Sequence, residues 1–462
     1  MGSPNPTIDI GIDRTRLAAL RAREDADFVK RTPHSRALCE RAGAVLPNAV
    51  PMGWMAGMYR HPPLYVARGQ GAHFEDVDGN RYLDMNQADL SMNCGFGPAP
   101  VVEAVASRVR DGSQFLLPTE DAIVVAEHLA DRFALPYWQF TLSASGASTE
   151  AIRLARLATG RERILLLDGN YHGHIEDTLV EAEDGRSKPQ LLGLPKAAAE
   201  RAVVIQFNDL EALRAALARE DIACVITEPA LTNVGVVLPD DGFLAAVRET
   251  AAAHGSLLIL DETHTHMAAY GGLTRALGLA SDMVVMGKSL GGGVAIGAYG
   301  MTADLARLME KHLDVDVGAT GLAAGGTLYA NALSLAAARA ALEEILTPEG
   351  YRRTTALGTR LADGIDTLIA RHDLPWRAHR LGNRSGFCLT PDWPRNLDEA
   401  AVSIDAEFID ARRVYLANRG IWEAIATAGP AASFAHEADD IDRYLEVVGD
   451  FFDELCGEAG AA

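Results

Sequence analysis

The sequence predicts an α/β fold, with a large domain on a mostly parallel sheet and a smaller α+β domain built from N- and C-terminal segments. Short apolar runs recur with helix-forming sequence between them: Arg163 to Leu167, Ala202 to Ile205, Ala223 to Thr227, Ser256 to Leu260 and Met283 to Met286. Strands that are apolar throughout are what a sheet buried on both faces requires. Several of these runs end in polar residues with chemistry of their own. The 462 residues are long enough for one large domain and a smaller one.

Taken in order, Arg14 to Ala44 has apolar positions at helical spacing and predicts one or two helices. Leu46 to Pro63 is rich in Pro, Gly, Met and aromatics, including Trp54, and is too apolar for a free linker. From Leu64 to Asp84, β-rich runs flank Asp78-Gly79, a strong hairpin signal. Val101 to Gly112 and Asp121 to Phe133 read as helices, and Gln139 to Leu142 as a strand entering a Ser/Gly/Ala turn and a helix from Thr149 to Ala158. Beyond Thr327 come helices at Ala332 to Leu346 and Tyr351 to His372, a short strand near Gly386 to Leu389, and helices at Ser403 to Arg419 and Ala438 to Cys456. The expected divisions are 1–70 for the N-terminal helices and loop, 71–335 for the large domain and 336–462 for the small one.

Lys and Arg total 42 against 63 Asp and Glu, a net charge of -21. Such a surface disfavours nucleic acid or anionic membranes as partners. The N-terminus lacks an apolar signal core, and no run approaches the roughly 20 apolar residues that span a bilayer. The five cysteines are scattered, with no C-x-x-C, so neither a disulfide framework nor a zinc knuckle is expected. A cytoplasmic protein is the expectation.

The chemistry centres on Asp282 to Met301, where an apolar run ends at Gly287-Lys288-Ser289 and glycines follow. A lysine pressed by apolar neighbours loses its proton more easily and can act as a nucleophile or Schiff-base partner. The triplet imitates a phosphate-binding P-loop, but that motif needs glycine where this chain has Asp282. A surface lysine in a glycine turn is the plainer alternative. Other strand ends weigh against it: I-L-L-L-D leads to Tyr171-His172-Gly173-His174, C-V-I-T to Glu228-Pro229, and L-L-I-L to Asp261-Glu262-Thr263-His264. In a doubly wound sheet, ligands bind beyond the carboxyl ends of the strands, so these residues should converge. The histidines at 172, 174, 264 and 266 also suit a metal hydrolase, a remote alternative that leaves Lys288 and its glycines without a role. No metal is assigned.

A lysine for a Schiff base, an acid on a neighbouring strand, an aromatic and a helix start together meet the needs of pyridoxal 5'-phosphate. On these residues the chain resembles the class III aminotransferases of fold type I, and within them glutamate-1-semialdehyde aminomutases and β-amino acid aminotransferases. The resemblance runs from about Leu46 to the C-terminal helices. It implies that Lys288 is the Schiff-base lysine and that Asp261, in D-E-T-H-T, pairs with the pyridine nitrogen, with Thr263 against the ring. It further implies Tyr171 as the ring-stacking aromatic with His172 beside it, and Glu228 and Asn233 near the ring hydroxyl. Thr327, in Gly326-Thr327-Leu328, would reach the phosphate of a neighbouring subunit, so a homodimer with a shared active site is implied. The phosphate turn can be aligned at Ser145 to Ala151 or at Leu142 to Ala147. The second needs no insertion and assigns Ser143, Ala144 and Ser145. Trp54, Arg60 and Arg384 are candidates for the substrate, an arginine being suited to bind a carboxylate bidentately.

The family's G-H-x-H-P is Gly95-Phe96-Gly97-Pro98-Ala99 here, and Thr263 and His264 alter the ring's surroundings. The expected reaction moves an amino group between an amino acid or amine donor and a keto acid or aldehyde acceptor. An aminomutase, a racemase or epimerase, or a lyase would share the same parts.

Overall fold

The computed structural model describes residues 10–58, 61–183, 185–312, 321–322, 324–425 and 429–457. They fall into two units, one drawn from 1–98, 352–394 and 398–462, the other from 99–351 and 395–397.

The second unit carries a seven-stranded sheet in the order 137–141, 297–301, 283–286, 257–261, 222–227, 163–167, 202–205. Strand Gly297–Met301 is antiparallel to both neighbours, and the pairings from Met283–Met286 outward to Ala202–Ile205 are parallel. Every residue of Ile222–Thr227 is buried, as the apolar runs demand. Helix Ala144–Thr159 buries Ala147, Ala151, Leu154 and Ala155 in the same core as Ile226, Ile259 and Val285. Those positions recur at helical spacing, and small residues among them let a helix lie close to a sheet.

That helix begins at Ala144, five residues before the expected start at Thr149. The cause is Ser143, whose hydroxyl accepts from the Gly146 N–H at 3.2 Å and caps the helix, so that Ser145-Gly146 form its first turn instead of a loop. The strand Gly297–Met301 was not expected at all; its composition, G-A-Y-G-M, hides it, yet all five residues are buried. Strand Leu257–Asp261 includes Asp261 as its last residue.

In the first unit, helices Arg14–Arg31 and Pro33–Ala42 precede a four-stranded sheet of Val66–Gln70, His73–Asp76, Arg81–Asp84 and Ile421–Trp422. The Asp78-Gly79 turn lies between the second and third of these, with Gly79 at φ +83°. Ile421 pairs in parallel with Leu83, which draws the hairpin residues 73–84 to C-terminal sequence and away from the division expected at 70/71. Helix Ala332–Glu344 belongs to the second unit, so the cut expected at 335/336 falls inside a helix. Most of helix Pro348–Arg371, the hairpin Arg377–Leu381/Arg384–Cys388 and helices Ala406–Asn418 and Ala438–Cys456 also belong to the unit. Its core is aromatic, with Trp376, Phe408, Tyr415, Tyr444, Phe451 and Phe452 buried together.

Candidate active site

Five strand ends on one edge of the large sheet supply the residues singled out by sequence. Asp261 closes strand 257–261, Glu228 follows strand 222–227 by one residue, and Lys288 follows strand 283–286 by two. Ser143 lies two residues past strand 137–141, and Tyr171 and His172 lie in the loop after strand 163–167. Parallel direction places these ends together, which is why they can share one ligand.

Asp261 is fully buried and fixed twice. His172 Nδ1 lies 2.8 Å from its Oδ2, and the Thr263 N–H donates to its Oδ1 at 3.0 Å. A buried carboxylate held in this way is an oriented negative charge in a low-dielectric setting, able to stabilise a proton on a ligand nitrogen. The next residue, Glu262, faces elsewhere: its carboxylate accepts from Thr265 Oγ1 and from Thr274 N and Oγ1, each at 2.5 Å, and from Leu273 N at 3.2 Å. It is a structural brace, and burial raises its affinity for a proton.

Glu228 Oε1 accepts from the Tyr171 N–H at 3.2 Å and from Asn233 Nδ2 at 3.0 Å. Its Oε2 is bonded by the Thr232 hydroxyl, which also lies 2.7 Å from His264 Nδ1. Burial pushes the Glu228 carboxyl up to about 7; the Thr232 bond opposes the rise and the charge of Asp261 adds to it. Thr232 was missed in the sequence, although it stands in E-P-A-L-T-N directly before Asn233.

Lys288 has a left-handed backbone, φ +49°, at the start of the short turn Lys288–Gly291. Non-glycine residues held there cost free energy and are characteristic of functional positions. Gly287 is needed for close approach, since a Cβ there would lie 2.9 Å from the Ala144 nitrogen at the helix start. Gly173 is needed on the other side: its φ is +97°, and a Cβ would run into Ser145 Oγ, which accepts from the His174 N–H at 3.1 Å. Two glycine-bearing segments thus close around Ser143, Ala144 and Ser145. Backbone N–H groups at such a helix start favour an anion.

The remaining candidates are more dispersed. Tyr171 is 43% exposed, and His174 meets it edge-on at 6.5 Å. Tyr171, His172 and Asn233 also line a cavity of about 230 Å³ with Thr178, Gln190 and Leu397. Thr327 is exposed, and its carbonyl accepts from Gln114 Nε2 at 2.5 Å. Trp54, on the short helix Gly53–Gly57, and Arg384, buried at the start of its strand, belong to the first unit. Arg60 lies outside the described residues. The histidines do not gather: His172 is set against Asp261, His264 against Thr232, and His266 is pushed down to about 3 by burial together with Arg132 and Lys288. Among the described residues no group of three or more His, Cys, Asp or Glu could hold a metal ion.

The model of the family described as Aminotransferase class-III matches residues 54–415. The chain belongs to that family. A glutamate-1-semialdehyde 2,1-aminomutase of Geobacillus kaustophilus is 34% identical over 403 residues, 86% of this chain and 92% of that protein. Among solved structures, a glutamate-1-semialdehyde aminomutase from Pseudomonas aeruginosa, in a lysine-to-alanine form in complex with PMP, superposes with a TM-score of 0.91 at 34% identity, covering 96% of this chain and all of that one. A β-phenylalanine aminotransferase from Variovorax paradoxus gives 0.81 at 28% identity, covering 95% and 96%. The fold is that of the fold-type I enzymes, and the cofactor of this class III enzyme is pyridoxal phosphate.

The residues present fit that group. A primary amine at Lys288, a fixed buried carboxylate at Asp261 and an anion-favouring helix start lie on one sheet edge. Among the described residues, the buried polar atoms Thr263 Oγ1 and His172 Nε2, on the two residues that hold Asp261, have no hydrogen-bond partner. Among the described residues no helix is long and apolar enough to cross a membrane.

Proposed function

We propose that this class III enzyme moves an amino group between carbons of one small amino-acid-derived substrate, the aminomutase reaction. The observation that carries this reading is that the relatives at 32–35% identity are named glutamate-1-semialdehyde 2,1-aminomutases and are matched over most of their length. Transfer between a separate amino donor and a keto or aldehyde acceptor is the second reading. It is favoured by the likeness to an omega-transaminase from Sphaerobacter thermophilus, TM-score 0.84 at 29% identity, and to the β-phenylalanine aminotransferase.

When bound, pyridoxal phosphate supplies a carbonyl that bonds amines and a ring that withdraws electrons from the carbon beside the nitrogen. In this reading Lys288 Nζ would hold the cofactor. Displaced by substrate, the same amine takes a proton from one carbon and returns it at another. Asp261, oriented by His172 and the Thr263 N–H, would keep a proton on the cofactor's ring nitrogen, and the Thr263 side chain would border the ring. Tyr171 would cover the ring, Glu228 and Asn233 would meet its hydroxyl, and Ser143, Ala144 and Ser145 would bind the phosphate. The exposure of Thr327 supports a homodimer in which that threonine serves the neighbouring site. Trp54, Arg60 and Arg384 remain the candidates for binding substrate.

The test supplies glutamate 1-semialdehyde to the loaded enzyme without any keto acid. Product formed under those conditions at the rate seen with added keto acid supports the aminomutase. Turnover that stops after one equivalent and resumes only with a keto acid supports transfer between two substrates.

A further inference from the structure

We propose that Glu228, Thr232 and His264 form a proton relay beside the cofactor, in which the Glu228 carboxyl is coupled through the Thr232 hydroxyl to the choice of ring nitrogen that carries the proton on His264. The catalytic use of the relay rests on the proposed placement of Glu228 at the cofactor, whereas the coupling rests on this chain's geometry alone.

Thr232 Oγ1 lies between Glu228 Oε2 and His264 Nδ1, the latter at 2.7 Å, and all three residues are buried. A hydroxyl has one proton to give, so it cannot donate to both neighbours. If Glu228 is protonated, its Oε2–H donates to Thr232, the Thr232 O–H donates to Nδ1, and His264 carries its own proton on Nε2. If Glu228 is ionised, Thr232 donates to the carboxylate, and Nδ1 must carry a proton to donate to Thr232. Passing from the first state to the second breaks the Glu228 O–H bond and forms one at Thr232 Oγ1. The original Thr232 proton moves to His264 Nδ1, and the Nε2 proton leaves, so the chain loses one proton in all. The opposite oxygen, Oε1, is occupied by the Tyr171 N–H and Asn233 Nδ2, which leaves Oε2 as the oxygen that titrates.

The switch is poised where it can be used, since the Glu228 carboxyl stands at about 7. The titratable groups set against it from neighbouring elements are Asp261, which holds its proton on, and His172, which opposes that effect. His266, two residues beyond His264, is neutral in the same range. Glu228 could therefore gain or lose a proton during turnover with His264 as its outlet, making Thr232 and His264 positioning residues for the carboxyl.

The relay is tested on the full-length protein labelled with 15N at histidine, with and without pyridoxal phosphate, by following the ring nitrogens of His264 by NMR between about pH 5 and 9. The resonances are assigned by their loss in His264→Gln. In the wild type the proton is expected to pass from Nε2 to Nδ1 with a midpoint near 7. Glu228→Gln should hold one tautomer throughout, Thr232→Val should uncouple His264 from the carboxyl, and Thr232→Ser should preserve the wild-type switch. A single tautomer across the range in the wild type, or an unchanged switch in Thr232→Val, overturns the relay. A switch that is intact but whose midpoint ignores pyridoxal phosphate overturns the placement beside the cofactor and leaves the coupling standing.

Discussion

Replacing Asp261 by asparagine keeps its shape and removes its charge, so it separates holding the cofactor from activating it. Activity should fall on the order of 10²–10³-fold, the loss typical of a preorganised charge in a dry site, while near-visible absorbance from the group held by Lys288 persists. Steady-state rates and spectra of Asp261→Asn check both. Glu228 makes a different prediction. Its folded-state affinity for a proton is raised from an ordinary 4.5 to about 7. The stability it contributes is therefore fully present below about 4.5 and is lost as pH rises through about 7. Glu228→Gln, which cannot ionise, should gain on the wild type over that interval, by at most about 3 kcal/mol. Denaturant unfolding of the two apoproteins at the ends of the interval measures it, and a difference that does not change with pH would contradict the assignment.

Among the elements, the helix Ala144–Thr159 matters most, because its start is also the proposed phosphate site. Ser143→Ala should cost about 1 kcal/mol through the lost cap and should also weaken pyridoxal phosphate. Gly173→Ala should cost about 1–3 kcal/mol, since a left-handed backbone is combined with a collision at Ser145. Thermal unfolding and cofactor titration of both variants check these values. The same element shows how far the sequence could be read. Strands 163–167, 202–205 and 283–286 were legible to the residue, because continuous apolar runs bounded by polar turns have few other uses. The helix start was not, because Ser-Ala-Ser-Gly has the composition of a turn and becomes helical only through the cap. Strand 297–301 was illegible for a related reason: its glycines are there to admit Trp138 and the Ser143 carbonyl, which are distant in sequence. The strand-end positions of Lys288, Asp261 and Glu228 were legible because each of those strands is readable. The Thr232–His264 contact, bridging residues 32 apart, was not.

At the scale of the whole molecule, the two units are held by different cores. The smaller one depends on a buried ion pair, Arg412 with Glu423 at 2.7 Å, capped by the Tyr444 hydroxyl at 2.6 Å from the same carboxylate. Arg412→Leu would remove the cation from the buried Glu423 carboxylate, at about 3–5 kcal/mol. It should lower the denaturant midpoint of the first unit, read by hydrogen exchange of peptides from helix Ala438–Cys456. The larger unit bears Lys288, the proposed attachment point of the cofactor, at the carboxyl edge of its sheet. Borohydride reduction of the loaded enzyme followed by peptide mass spectrometry locates the modified lysine. One pyridoxyl phosphate adduct per chain is expected, on the peptide bearing Lys288; an adduct on another lysine, or none, would rule Lys288 out.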